Sequence, residues 1–292
     1  MKVYVSGATG FVGSHIAREL REQGTEVRDE RVDLLDSAGL ERVLDGCDAV
    51  VHAAALYSYD APESELQRVN VEGTRTILDA ARASGVRRFL FTSTAGTCGP
   101  VPGAVATEED EPPEWELSVP YKRTKLESER LALAAGAVVV NPTTPVGDGD
   151  AKPTPTGQMV EDVATGRIRG FVATGLNLVD VRDVARGHAL ALERGEPGER
   201  YLLGGVNLSL EELFAVIADL AGRSRPRLRV PYPFAVAAAK AGFANAEEVK
   251  LARIPMYFSS EKARSRLGYE PGPVEPALAR ATAEALTRKG GA

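Results

Sequence analysis

Residues 3–13 read Val-Tyr-Val-Ser-Gly-Ala-Thr-Gly-Phe-Val-Gly, a β-branched run that breaks into glycines spaced three apart and then into an amphipathic stretch ending near Gly24. No other feature constrains the fold as tightly. Between a strand and a helix, glycines at this spacing permit a tight turn, let the backbone approach a pyrophosphate, and let the helix sit close on the sheet. The phosphates would then meet the free N–H groups and positive dipole end of the helix. An ordinary glycine-rich turn uses the same residues, so the rest of the chain has to decide between the two.

The first half keeps alternating. Strands are expected at 2–6, 26–30, 49–52, 89–92 and 137–141, and helices at 12–23, 37–45, 62–83 and 119–135. Strands separated by helices build parallel βαβ units with both faces of the sheet covered. The expected fold class is therefore α/β, a Rossmann-type doubly wound parallel sheet with helices on both faces. After Asn141 the texture changes, because Pro142, Pro145, Pro153 and Pro155, with Gly147 and Gly149, interrupt any regular element. Beyond lie a helix over 182–194, a strand over 201–203, and a helix opened by Ser209 with Glu212 three residues on, a capping box. Residues 1–141 with about 181–205 read as the dinucleotide-binding domain. About 142–180 and 206–292 read as a smaller, C-terminal substrate-binding region.

Composition narrows the function. The 35 basic and 41 acidic residues leave a net charge of −6, with no basic block. Nucleic acid or an anionic membrane would need clustered cations, so neither is expected as a partner. The most apolar stretch, 234–246, is broken by Lys240 and falls short of the ~20 residues of a membrane span. His15, His52 and His188 are scattered, and no metal is expected. Cys47 and Cys98 form no disulfide framework, and Met1-Lys2 leads straight into a strand rather than a secretory pattern. The expectation is a cytoplasmic protein acting on a small molecule.

Two further motifs carry chemistry. Tyr121 and Lys125 stand one helical turn apart and share a face. A nearby ammonium favours tyrosinate, lowering a pKa of ~10 toward neutrality, so the tyrosine could exchange a proton with a substrate oxygen. A solvated helix face would show the same spacing. Thr92, Ser93 and Thr94 place hydroxyls at the C-terminal end of a strand, where open parallel sheets bind ligands. Capping or turn hydroxyls would explain them equally well.

Together and in this order, the three motifs resemble the short-chain dehydrogenase/reductase superfamily. They are most similar to its extended branch, the NAD-dependent epimerase/dehydratase family, which includes sugar-nucleotide epimerases and dihydroflavonol-reductase-like enzymes. Asp33-Leu34, His52-Ala53-Ala54-Ala55, Asn70 through Thr74, Asn141-Pro142 and residues 181–185 and 258–268 extend the resemblance over nearly the whole chain. Residues 141–208 look especially like hopanoid-associated bacterial reductases and epimerases. The resemblance implies that Gly7, Thr9, Gly10, Phe11, Val12 and Gly13 cradle the pyrophosphate. It implies Asp33 and Leu34 beside the adenine and Ala53, Ala54 and Ala55 along the cofactor cleft. Thr94 takes the catalytic Ser/Thr position, with Ser93 as the fallback. Tyr121 is the acid/base, and Lys125 binds the nicotinamide ribose and tunes the tyrosine. Pro142 and Thr143 would lie beside the nicotinamide, and Asn70 would support the lysine through water. A homodimer through long helices is common in the superfamily.

Two departures bear on function. At the position where NAD-preferring relatives carry an acid for the ribose hydroxyls, counting from Gly24 gives Arg31. A cation there suits a 2′-phosphate, so NADP(H) is favoured over NAD(H), although Asp29 and Glu30 are close by. Second, Leu176 stands near the position where sugar-nucleotide epimerases of this branch hold a diphosphate with Arg. The first expectation is thus an oxidoreductase moving hydride between nicotinamide and a secondary alcohol or ketone. The alternatives are a sugar-nucleotide epimerase or dehydratase retaining NAD, and a non-catalytic dinucleotide sensor. The acidic run Glu108 to Glu111 reads as a solvated loop, Trp115 as a substrate cover or loop anchor, Cys98 as a buried thiol. Arg225, Arg227 and Arg229 remain candidates for an anionic substrate group.

Overall fold

In the first strand, β1 (Lys2–Ser6), Val3 and Val5 face one way and Tyr4 the other, and this period of two carries both layers of the molecule. The computed structural model describes residues 1–168, 170–242 and 245–290. The strands β2 (Glu26–Arg28), β3 (Ala49–His52), β4 (Arg88–Thr92) and β5 (Val138–Pro142) come next in the chain. Then follow β6 (Thr144–Val146), β7 (Gly170–Phe171), β8 (Gly175–Asp180), β9 (Arg200–Leu203), β10 (Val206–Ser209) and β11 (Leu228–Arg229). The main sheet has the order β2-β1-β3-β4-β5-β9 and is parallel throughout.

One face of that sheet is covered by α1 (Phe11–Glu22) and, much later in the chain, α7 (Val181–Arg194). Ile16 and Leu20 meet Ala185, Ala189 and Leu192 over Val3, Val51, Leu90 and Val140. The opposite face takes α2 (Ser37–Leu44), α4 (Gly73–Ala83) and α5 (Pro120–Ala134), which pack Leu40, Ile77 and Ala132 over Tyr4, Val50 and Val139. Both faces of each strand are therefore apolar, as a doubly wound sheet requires.

A second core lies apart from the first. The three-stranded sheet β10-β8-β6 packs against α6 (Pro155–Ala164), α8 (Leu210–Leu220) and α12 (Glu275–Gly290) through Val160, Leu178, Leu213, Ile217 and Leu278. The short α9 (Tyr232–Lys240) and α10 (Ala246–Leu251) follow β11; residues 243 and 244 of the apolar stretch between them lie outside the described residues. Ala263 and Leu267 of α11 (Glu261–Leu267), and Tyr269, belong to the large core although they follow residue 206. Among the described residues, no helix is long and apolar enough to cross a membrane, and no three His, Cys, Asp or Glu side chains gather as a metal site would need.

Two elements differ from expectation. The helix expected over 62–83 is α3 (Glu63–Leu66), a π-helical stretch (Gln67–Glu72) and α4 in succession. The widened turn carries Asn70. The acidic run is not a solvated loop throughout, because Glu108 is buried and accepts the Leu202 N–H at 2.7 Å, tying the segment to β9.

Candidate active site

The C-terminal ends of β1 and β3 open into a cleft of about 660 Å³. Gly7, Thr9, Gly10 and Phe11 form one wall, and Ala53, Ala54 and Ala55 another. Gly7 has a φ of +75°, and a Cβ there would stand 2.6 Å from the Ala54 nitrogen. A Cβ on Gly13 would stand 2.1 Å from the Gly7 carbonyl oxygen, so this glycine, outside the cleft lining, lets α1 rest on the turn. Val12 likewise packs back on the large core. The start of α1 has no side-chain cap and no acid in its first turn, and its first N–H groups precede the Ser14 N to Gly10 O bond of 2.9 Å. An uncapped helix end facing a cleft fits a pyrophosphate.

The adenine end is mixed in charge. Asp29, Glu30, Arg31, Val32 and Leu34 line it. Arg21 holds the Asp29 carboxylate at 2.6 Å, whereas exposed Arg31 has no ion-pair partner among the described residues. Asp33 is not part of the lining. Its carboxylate accepts Leu35 N–H at 3.0 Å and its carbonyl accepts Asp36 N–H at 2.9 Å, so it shapes the turn that presents Leu34. Behind the glycine wall, Ser6 Oγ bonds His52 Nδ1 at 2.7 Å, and His52 Nε2 bonds Thr74 Oγ1 at 3.1 Å. Burial holds His52 down to about 3, so it stays neutral.

The residues expected to transfer the proton lie just after β4 and on α5. Thr94 opens a single 3-10 turn, Ala95–Thr97, and its half-buried hydroxyl accepts the Gly96 N–H at 3.3 Å. Pro120 at the first position of α5 sets the helix start, placing Tyr121 in its first turn and Lys125 one turn on. The Lys125 amine donates to the Thr92 carbonyl at 2.9 Å and lies 4.4 Å over the Phe91 ring. Burial lowers it to about 8, with Glu129 acting in the opposite sense. Tyr121 is raised above its ordinary value, first by burial and then by Tyr57. This corrects the expectation of an acidified tyrosine: its apolar surroundings outweigh the lysine one turn away. Among the described residues the Tyr121 hydroxyl has no hydrogen-bond partner.

The shell beneath is closely bonded. Buried Glu129 accepts Thr97 Oγ1 at 2.6 Å, Asn141 Nδ2 at 2.7 Å and Arg200 Nη1 at 2.9 Å, locking α5 to the loop after β4. Asn70 makes no direct hydrogen bond to a lysine among the described residues; its carboxamide accepts Leu56 N–H at 2.8 Å, and donates to Leu56 O at 3.2 Å and Thr124 Oγ1 at 3.3 Å. At the end of β5, Pro142 is buried, and the buried hydroxyls of Thr143 and Ser93 have no partner among the described residues. Unsatisfied buried hydroxyls are uncommon, and here, at the ends of β4 and β5, they fit a polar group such as a carboxamide.

Other candidates separate. Cys98 is buried, its thiol pushed up to about 12 by burial, so it is no nucleophile. Arg225 pairs with Asp219 and Arg229 with Glu211 on the surface. The Trp115 ring lies 5.5 Å from the Arg253 guanidinium. Sequence reading missed Asp150, Lys152 and Thr154, which line the cleft from the loop before α6. It also missed Tyr57 and Tyr59, whose rings surround Tyr121. The signal was present: two tyrosines at a spacing of two, shortly after the three alanines that follow β3.

Residues 3–204 match the family model described as NAD dependent epimerase/dehydratase family. A Synechocystis protein provisionally named dihydroflavonol 4-reductase is 36% identical, over 94% of this chain and 92% of its own length. Sterol demethylase protein B of Methylococcus capsulatus is 34% identical, over 79% of this chain and 78% of its own. The crystal structure of gox2253 superposes with a TM-score of 0.86 at 37% identity, covering 99% of this chain and 98% of that one.

Proposed function

The chain belongs to the NAD dependent epimerase/dehydratase family, whose members are NAD(P)-dependent enzymes, and from that premise we propose that it is a carbonyl reductase with Tyr121 as its acid/base. The nicotinamide cofactor, when bound, supplies or accepts the hydride. Gly7, Gly10 and the start of α1 would hold its pyrophosphate, and Pro142, Thr143 and Ser93 would lie beside the nicotinamide. The observation that carries the reading is the buried Tyr121–Lys125 pair on α5, with the Lys125 amine bonded to the Thr92 carbonyl at the end of β4, two residues before Thr94.

Each residue then has a task. The Tyr121 hydroxyl gives its proton to the substrate oxygen in reduction and removes it in oxidation. A tyrosinate left in apolar surroundings is costly, and the ammonium of Lys125, anchored on Thr92, offsets part of that cost. Thr94 donates a hydrogen bond to the substrate oxygen as charge gathers on it. Water is kept out by the aromatic rings around Tyr121, which strengthens each of these interactions. NADP(H) is favoured over NAD(H), supported by Arg31 without an ion-pair partner among the described residues and by Asp29 already engaged with Arg21. A cytoplasmic location accords with two free, buried cysteines.

A reductase is favoured over an epimerase by Leu176, half-buried in β8 and bridged to Met256 where a diphosphate clamp would need a cation. The test is stoichiometry. With a ketone the protein should consume one NADPH for each alcohol formed; turnover of a sugar nucleotide with no net change in cofactor would reverse the choice.

A further inference from the structure

The cofactor cleft is walled from both cores. Its glycine turn belongs to the large sheet, whereas Gly149, Asp150, Lys152 and Thr154 reach it from the loop between β6 and α6. Three helices pin that loop. His15 of α1 donates from Nε2 to the Asp148 carbonyl at 2.9 Å, and Arg182 of α7 and Arg280 of α12 hold the Asp148 carboxylate at 3.2 and 2.8 Å. Also on α12, Glu284 accepts the Gly149 N–H at 2.6 Å, and Arg288 donates to the Asp150 carbonyl at 2.5 Å. Buried Asp150 accepts the Thr154 N–H and hydroxyl at 2.9 and 2.8 Å, which closes the loop on itself. Phe11 shares a small cavity with Gly147 and Asp150, so the loop passes over the start of α1. Lys152, near its tip, is exposed and has no hydrogen bond or ion pair among the described residues.

The charge of the cleft makes this lysine matter. Asp29, Glu30, Glu65 and Asp150 line it against two cations, Arg31 and Lys152. Asp29 is engaged by Arg21 and Asp150 by Thr154, but Glu30 and Glu65 have no ion-pair partner among the described residues. A pyrophosphate entering here meets the positive end of α1 on one side and needs a cation on the other to offset those acids. Arg31 follows β2, at the adenine end, whereas Lys152 comes from the side of α1. A lysine ammonium is a compact charge on a flexible stem and suits a phosphate oxygen. With the loop already fixed, only its own side chain has to be ordered.

Resting on the nucleotide-binding part of the reading above, we infer that Lys152 is a phosphate ligand of the cofactor. Its ammonium closes on the pyrophosphate opposite the glycine turn, so the dinucleotide is clasped between the two cores. The pyrophosphate is common to NAD(H) and NADP(H), so Lys152 sets affinity for both alike, whereas Arg31 divides them.

The test is titration calorimetry on the parent, Lys152→Ala and Lys152→Arg with NADP⁺, NAD⁺ and ADP-ribose, each of which carries the pyrophosphate. One charge-assisted contact in a partly open cleft corresponds to roughly 5- to 20-fold in affinity. Lys152→Ala should lose about that factor for all three ligands. Its affinity should also fall less steeply with added salt than the parent's, because one screened contact is gone. Lys152→Arg, which keeps the charge, should stay within about threefold of the parent. Melting temperature should be the same in all three proteins, since the side chain supports no other contact. Parental affinity in Lys152→Ala would overturn the inference, as would a loss confined to NADP⁺, which would put the lysine on the 2′-phosphate. The two readings fail separately. Dinucleotide bound in a Lys152-dependent way, with no ketone reduced, would count against the reductase alone; tight binding that ignores Lys152 would count against the clasp alone.

Discussion

The three glycines of the nucleotide turn look interchangeable in sequence, and the structure divides their work. Consider Gly13→Ala. Its new Cβ would stand 2.1 Å from the Gly7 oxygen, 2.7 Å from the Gly7 carbon and 3.1 Å from the Ala8 nitrogen. All three are backbone atoms, so no side chain can turn aside, and α1 would have to lift off β1 by more than an ångström. Overpacking of that kind costs about 1–3 kcal/mol, a fall of several degrees in melting temperature for a domain of this size. Gly10 is different: its Cβ would meet only the Gly7 oxygen, at 3.3 Å, and Gly10 is exposed on the cleft. Gly10→Leu should therefore melt within about one degree of the parent, yet lose NADP⁺ affinity, because the side chain fills the approach to the helix end. Differential scanning calorimetry and titration calorimetry on both variants read the two effects apart. A Gly13→Ala protein with parental melting temperature, or a Gly10→Leu protein with parental affinity, would refute the division.

Two more predictions follow from single residues. Arg31→Ala should weaken NADP⁺ binding more than NAD⁺ binding, since only the former offers a phosphate; equal losses by calorimetry would shift the choice to NAD(H) and to Asp29. His188 is held down to about 4 by burial, so the unfolded chain takes up a proton below about pH 6.5 that the fold refuses. Its contribution is complete above that pH and is lost as pH falls toward 4. The stability difference between parent and His188→Gln should therefore shrink by about 1.4 kcal/mol per pH unit from 6.5 to 4.5 in urea titrations; a constant difference would contradict this.

How much of this was legible beforehand depended on range. The glycine turn, the alternation of strands and helices and the Tyr121–Lys125 spacing are local patterns, and each shows its physics within a dozen residues. The return of α7 and β9 to the large sheet was readable because Arg182 through Leu203 repeats the helix–strand rhythm. What escaped was set by partners distant in sequence. Glu108 looked like surface charge until Leu202, 94 residues away, claimed its carboxylate. That the Asn70 carboxamide bonds the Leu56 backbone from a π-helical turn depends on a loop 14 residues away. The acidity of Tyr121 was argued from one neighbour, Lys125, whereas the ring sits among Tyr57, Tyr59 and Leu251, brought there by loops and a helix from both halves of the chain.

The central claim is that Tyr121 moves the proton, and Tyr121→Phe tests it most directly. The substitution keeps the ring, its stacking on Tyr57 and the helix start, and removes only the hydroxyl. Positioned acid–base catalysis is worth roughly 100- to 10,000-fold. Steady-state reduction of a ketone substrate by this variant, with NADP⁺ affinity measured alongside, should therefore show turnover reduced by about that factor and affinity unchanged. Turnover at the parent's rate would contradict the account.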